Sequence, residues 1–145
     1  MADTKKLTAE LDRPISQHEA DIIRWLLEHG DPKHLPLIDQ INSLRVASKC
    51  TCGCPTVDFD LGDGINSLVG EGMIADCGAT VDDQAVGVLL FARRGLLSTL
   101  EVYSCAGSDK PFGLPAIESL YSYDVREVQR SGRTVKILSK PSSGK

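Results

Sequence analysis

The apolar residues of this chain change period once, and that change limits the fold more than any other feature. Up to position 44 they recur three and four apart: Ala20, Ile23, Leu26 and Leu27, then Leu37, Ile38, Ile41 and Leu44. From Arg45 onward they alternate with polar residues, as strands with one buried face require. Helical stripes followed by successive strands with short connections predict an α+β fold. Its expected form is two N-terminal helices packed on an antiparallel β-meander of about five strands.

Local signals sharpen the helices. Ser16 and Glu19 have capping-box spacing, and Ile15 stands where a hydrophobic staple begins, so a helix is predicted over Ser16–His29. Gly30 is the expected left-handed stop, with Pro32 just beyond. A second helix is predicted from about Leu35 to Ser43, with Pro36 in its first turn. The expected strands are Arg45–Cys52, Thr56–Leu61, Met73–Cys77, Ala85–Ala92 and Leu96–Ser104. Leu114–Tyr121 reads as a short helix, and Val125–Leu138 as a final hairpin around Ser131-Gly132 or a loose tail. The domain plan is therefore a flexible arm over 1–14, one α+β domain over 15–124, and a basic hairpin or tail over 125–145.

With 145 residues, 41% hydrophobic and 25% charged, the chain has the composition of a globular domain with a real core. Its longest apolar run, Ala85–Ala92, is far too short to span a bilayer, and the N-terminal residues carry no export signal, so a cytoplasmic location is expected. The net charge of −4 hides a gradient. Residues 1–125 hold 10 Lys/Arg against 19 Asp/Glu, or −9; residues 126–145 hold 6 against 1, or +5. An acidic body repels phosphate backbones and attracts basic proteins, so nucleic acid is not an expected partner except through the tail.

Few motifs point to chemistry. Glycine-rich phosphate loops and a GxSxG elbow are absent, and no catalytic residue is assigned. Asp58-Phe-Asp60-Leu-Gly-Asp63 fails as a calcium loop, because glycine falls at the fifth place instead of the sixth and valine at the twelfth. The most distinctive stretch is Cys50-Thr-Cys52-Gly-Cys54-Pro55. Tetrahedral zinc wants sulfurs about 3.7 Å apart, whereas alternate side chains of an extended strand lie nearly 7 Å apart. No second ligand pair accompanies the three cysteines, and His18, His29 and His34 all fall in the helical region. Inward-facing thiols packed beneath the helices are the expected arrangement, with no metal and no cofactor.

The runs SKCTCGCPTVDFDL and GLLSTLEVYS, with LPAIESL and the helix EADIIRWLLEHG, resemble a set of small uncharacterised bacterial proteins. The resemblance covers about residues 15–122; it implies one compact unit and no activity.

These readings converge on a non-enzymatic interaction module with an acidic surface. An immunity or antitoxin protein neutralising a basic bacterial toxin is the type envisaged. The candidate partner-binding residues are Asp58, Asp60 and Asp63, with Asp82 and Asp83 nearby; alternation at Val57, Phe59 and Leu61 turns the first two outward. The alternative is a metal-binding or thiol-based protein using Cys50, Cys52 and Cys54.

Overall fold

The computed structural model describes residues 8–62, 71–107, 110–130 and 133–139. Strand β1 (Thr8–Pro14) leads into helix α1 (Gln17–His29) and a 3₁₀ helix (Pro32–Ser43). Strands β2 (Arg45–Cys50), β3 (Val57–Phe59), β4 (Gly72–Val81), β5 (Gln84–Arg93) and β6 (Leu96–Ser104) complete one six-stranded antiparallel sheet. Its spatial order is β1-β2-β3-β6-β5-β4. A 3₁₀ turn (Ile117–Ser119) follows, and β7 (Asp124–Arg130) pairs with β8 (Arg133–Ser139) as a separate two-stranded sheet. The residues suggested for that hairpin's turn, Ser131 and Gly132, lie outside the described set. Among the described residues, no helix is long and apolar enough to cross a membrane.

Helix α1 starts where its capping box places it. Ser16 Oγ accepts from the Glu19 N–H, and the Glu19 carboxylate accepts from the Ser16 N–H at 2.9 Å. Gly30 ends the helix in an extended conformation (φ −102°, ψ −155°), not the left-handed one expected. The second helix is 3₁₀ throughout and begins earlier, at Pro32. Pro36 lacks an N–H and its ring crowds the carbonyl four residues back, so an α ladder cannot run through it. The tighter winding still turns His34, Leu37 and Ile41 inward. Gln40 fastens this helix to the β5–β6 hairpin, donating to Gly95 O at 2.7 Å and accepting from Leu97 N at 2.9 Å.

Residues 8–14, expected within a flexible arm, form the edge strand β1 instead. Their pairing with β2 runs from Thr8↔Cys50 to Pro14↔Arg45, and alternate residues are half-buried. Thr-Ala-Glu-Leu-Asp is too polar to announce a strand, because an edge strand has little surface to bury. The sheet therefore has one strand more than the meander expected from Arg45 onward. β4 also runs on to Val81, so the turn before β5 shrinks to Asp82-Asp83.

One face of the sheet carries the core. Val46, Val57, Val86, Val88, Leu90, Leu100 and Val102 lie buried in one cluster with Ile22, Ile23, Leu26 and Leu27 of α1 and Ile41 of the 3₁₀ helix. Each such side chain contributes roughly 1.5–3 kcal/mol by leaving water. On the register Gly78↔Gly87↔Tyr103, the Tyr103 ring lies across Gly87, and the Tyr121 ring lies across Gly78.

Candidate functional site: a three-thiol loop

β2 ends at Cys50, and β3 begins at Val57 on the far side of a short connection closed by a bond from Cys50 N to Thr56 O at 3.1 Å. Cys52 and Cys54 are therefore not strand residues, and the alternate-face spacing that kept the sulfurs apart does not apply to them. Gly53 bends the connection with φ +106°. The Cys52 and Cys54 N–H groups each donate to the sulfur two residues before them, at 3.4 Å. The sulfurs are drawn inward by this curl: Cys50 Sγ is 2.8 Å from Cys52 Sγ, which is 3.1 Å from Cys54 Sγ. All three lie within 4.8 Å of one another.

The loop is held from outside as well. Thr56 Oγ1 accepts from Val102 N at 2.9 Å, donates to Val102 O, and receives the Cys54 thiol at 3.4 Å. Phe112 N donates to Gly53 O at 3.0 Å, and Pro111 packs against the Gly53 α-carbon. The order β2-β3-β6 makes the first clamp, since it seats the start of β3 against Val102.

Packing beneath the helices is thus corrected for these three cysteines. Cys52 is exposed and Cys50 and Cys54 are half-buried, beside a cleft of about 450 Å³ whose lining includes Arg13, Glu19, Lys49 and Leu114. Cys77 does face the core, and Cys105 is exposed elsewhere on the chain. Partial burial, followed by its donated bond to Cys52, pushes the Cys50 thiol up to about 12. The sulfur hydrogen bond with Cys50, then that with Cys54, holds Cys52 below the usual thiol value. Between Cys50 and Cys52, the latter is poised to become a thiolate first.

A metal 2.3 Å from each sulfur needs sulfurs about 3.7 Å apart in a tetrahedral site and about 4.0 Å apart in a trigonal one. The sulfurs all lie within 4.8 Å of one another, and the pairs at 2.8 and 3.1 Å would open by about 1 Å to reach either spacing. Among the described residues, no His, Asp or Glu joins the group. His18 bonds Pro115 O at 2.8 Å, His29 bonds Trp25 O and stacks on its ring, and His34 is buried.

No family model, curated protein or solved structure matches the chain.

The acidic candidates are dispersed. Asp58 is not a free solvated charge: it accepts from Ser48 Oγ at 2.9 Å and from Thr99 Oγ1 at 2.8 Å, bridging β2 to β6. Asp60 accepts from Gly62 N at 2.9 Å at an exposed position, and Asp63 lies outside the described residues. Asp82 and Asp83 are exposed at the β4–β5 turn, with φ of 50° and 66°. Asp58 shares a register line with Thr99 and Phe91, seven residues along β5 from Gln84 beside that turn. At about 3.4 Å per residue this is about 24 Å, so the two acidic sets do not form one patch.

This loop is the alternative site of the sequence reading, and the signal for its curl is faint. Gly53 between two cysteines permits the positive φ that curls the loop, but the clamps from Val102, Pro111 and Phe112 come from distant sequence.

Proposed function

We propose that this protein binds a soft metal ion through the thiolates of Cys50, Cys52 and Cys54. The observation that carries the reading is the convergence of the three sulfurs within 4.8 Å on one exposed loop. Thiolates are soft donors that select copper, zinc and related ions over magnesium or calcium. The two N–H···S bonds within the loop support it, since they offset charge that accumulates on sulfur when the protons leave.

Cadmium is a suitable probe, because its bonds to thiolate absorb in the near ultraviolet. Titrating the reduced chain should give a sulfur-to-metal band saturating at one equivalent, and Cys52→Ser should remove most of it. Equal absorbance in the wild type and in the triple serine variant would defeat the reading.

Docking of a basic protein on the acidic surface has thinner support. The exposed Asp82-Asp83 tip favours it, while the bonds at Asp58 and the separation of about 24 Å weigh against a shared face.

A further inference from the structure

We propose that the ion suited to this loop is monovalent copper, held by the three sulfurs alone in a trigonal site. This rests on the thiolate reading above and specifies the ligand.

The argument begins with the donor count. Three cysteine sulfurs form the group, and among the described residues no fourth Cys, His, Asp or Glu joins it. Structural zinc is closed by four protein ligands, and with three it must retain water or take a ligand from outside. Monovalent copper has a filled d shell, prefers soft sulfur, and is satisfied by three donors in a plane. All three donors come from five consecutive residues of one curled loop, and their sulfurs form a triangle within 4.8 Å. An ion lying in that triangle needs nothing from the solvent side.

Charge supports the same choice. A copper(I) tris-thiolate carries two negative charges, one more than the corresponding zinc unit. Two backbone N–H groups already point at Cys50 and Cys52 sulfurs, and Lys49 lines the adjoining cleft, where Arg13 is paired with Glu19. The bonds from Val102 N to Thr56 Oγ1 and from Phe112 N to Gly53 O hold the loop in place, and of the three sulfurs Cys54 Sγ alone contacts Thr56 Oγ1.

Binding involves no change of oxidation state. A copper(I) complex of a weak ligand gives up its metal, three S–H bonds break, three Cu–S bonds form, and three protons and the weak ligand are released.

The test uses the full chain, reduced and under nitrogen, with the acetonitrile complex of copper(I) and, separately, zinc sulfate. X-ray absorption of the loaded protein reads the donor set directly. One copper per chain with three sulfurs and no lighter donor is expected, with copper displacing zinc at one equivalent. Each of Cys50→Ser, Cys52→Ser and Cys54→Ser should drop the count to two sulfurs and weaken copper binding on the order of a hundredfold. Cys105→Ser should leave both unchanged. Thermal unfolding of each apo variant confirms that the exposed loop can be altered without loss of the core. Zinc holding its place against copper, with an oxygen or nitrogen as fourth donor, overturns the copper assignment and leaves the thiolate reading standing. Cysteine-independent binding of both ions overturns both.

Discussion

Arg13 and Glu19 meet through two parallel hydrogen bonds of 3.0 and 2.8 Å, and the same carboxylate accepts the Ser16 N–H. One side chain therefore caps α1 and ties it to β1, an edge strand with no fully buried residue. Glu19 is 3% exposed, and its partner lies half in solvent at the rim of the thiol cleft.

The pair makes stability sensitive to acid. Burial by itself would raise the Glu19 carboxyl, but the Arg13 guanidinium and the Ser16 N–H more than offset it and hold it below its ordinary value. The resulting stabilisation is complete above the unfolded carboxylate's pKa and is lost as pH falls through the lower folded value. Glu19→Gln should cost about 1–2 kcal/mol at neutral pH, at the modest end because Arg13 is partly solvated. Urea unfolding across acidic pH should show a flatter profile in the variant than in the wild type.

Gly53→Ala should injure the loop twice. The residue sits at φ +106°, where a Cβ is strained, and that Cβ would lie 3.0 Å from the Pro111 α-carbon. Backbone cannot retreat as a side chain can, so the expected cost is about 1–3 kcal/mol. Cadmium affinity should fall with it, because the curl between Cys52 and Cys54 depends on this residue. Unchanged affinity in a folded variant would show that the sulfurs converge without Gly53.

Two glycines under tyrosine rings should respond differently to alanine. A Cβ on Gly78 or on Gly87 would overlap the ring above it. Tyr121 is bound to Gly78 by two backbone bonds of 3.0 Å, so its ring cannot move away easily. Tyr103 is 40% exposed and can swing outward. Gly78→Ala should therefore cost about 1–3 kcal/mol and Gly87→Ala less than about 1 kcal/mol, read by thermal unfolding.

Cys77 should behave unlike the other four cysteines. It is fully buried, and that burial, with a smaller contribution from Asp76, pushes its thiol up to about 12. A thiol reagent should modify Cys52 fastest in the native chain and reach Cys77 only in denaturant. Cys77→Ser should cost about 2 kcal/mol, whereas Cys52→Ser, at an exposed position, should be close to neutral for stability.

Features that depend on near neighbours were legible before any coordinates. The capping box joins residues three apart, so Ser16 and Glu19 announce α1 by themselves. Alternation within Val57–Phe59, Gln84–Arg93 and Leu96–Ser104 requires only that one face be buried, and it places the α+β layers correctly. The tertiary structure decided the rest, because the partners are far apart in sequence. Thr8–Pro14 becomes a strand only by pairing with β2, and Asp58 is tied down by hydrogen bonds only because Ser48 and Thr99 arrive on either side. The three sulfurs are separated in an extended chain. They meet because β2 stops at Cys50, Val102 holds Thr56, and Pro111 and Phe112 close over Gly53. A short-range pattern can specify which face is apolar, but only long-range contacts can stop a strand and turn its end into a site.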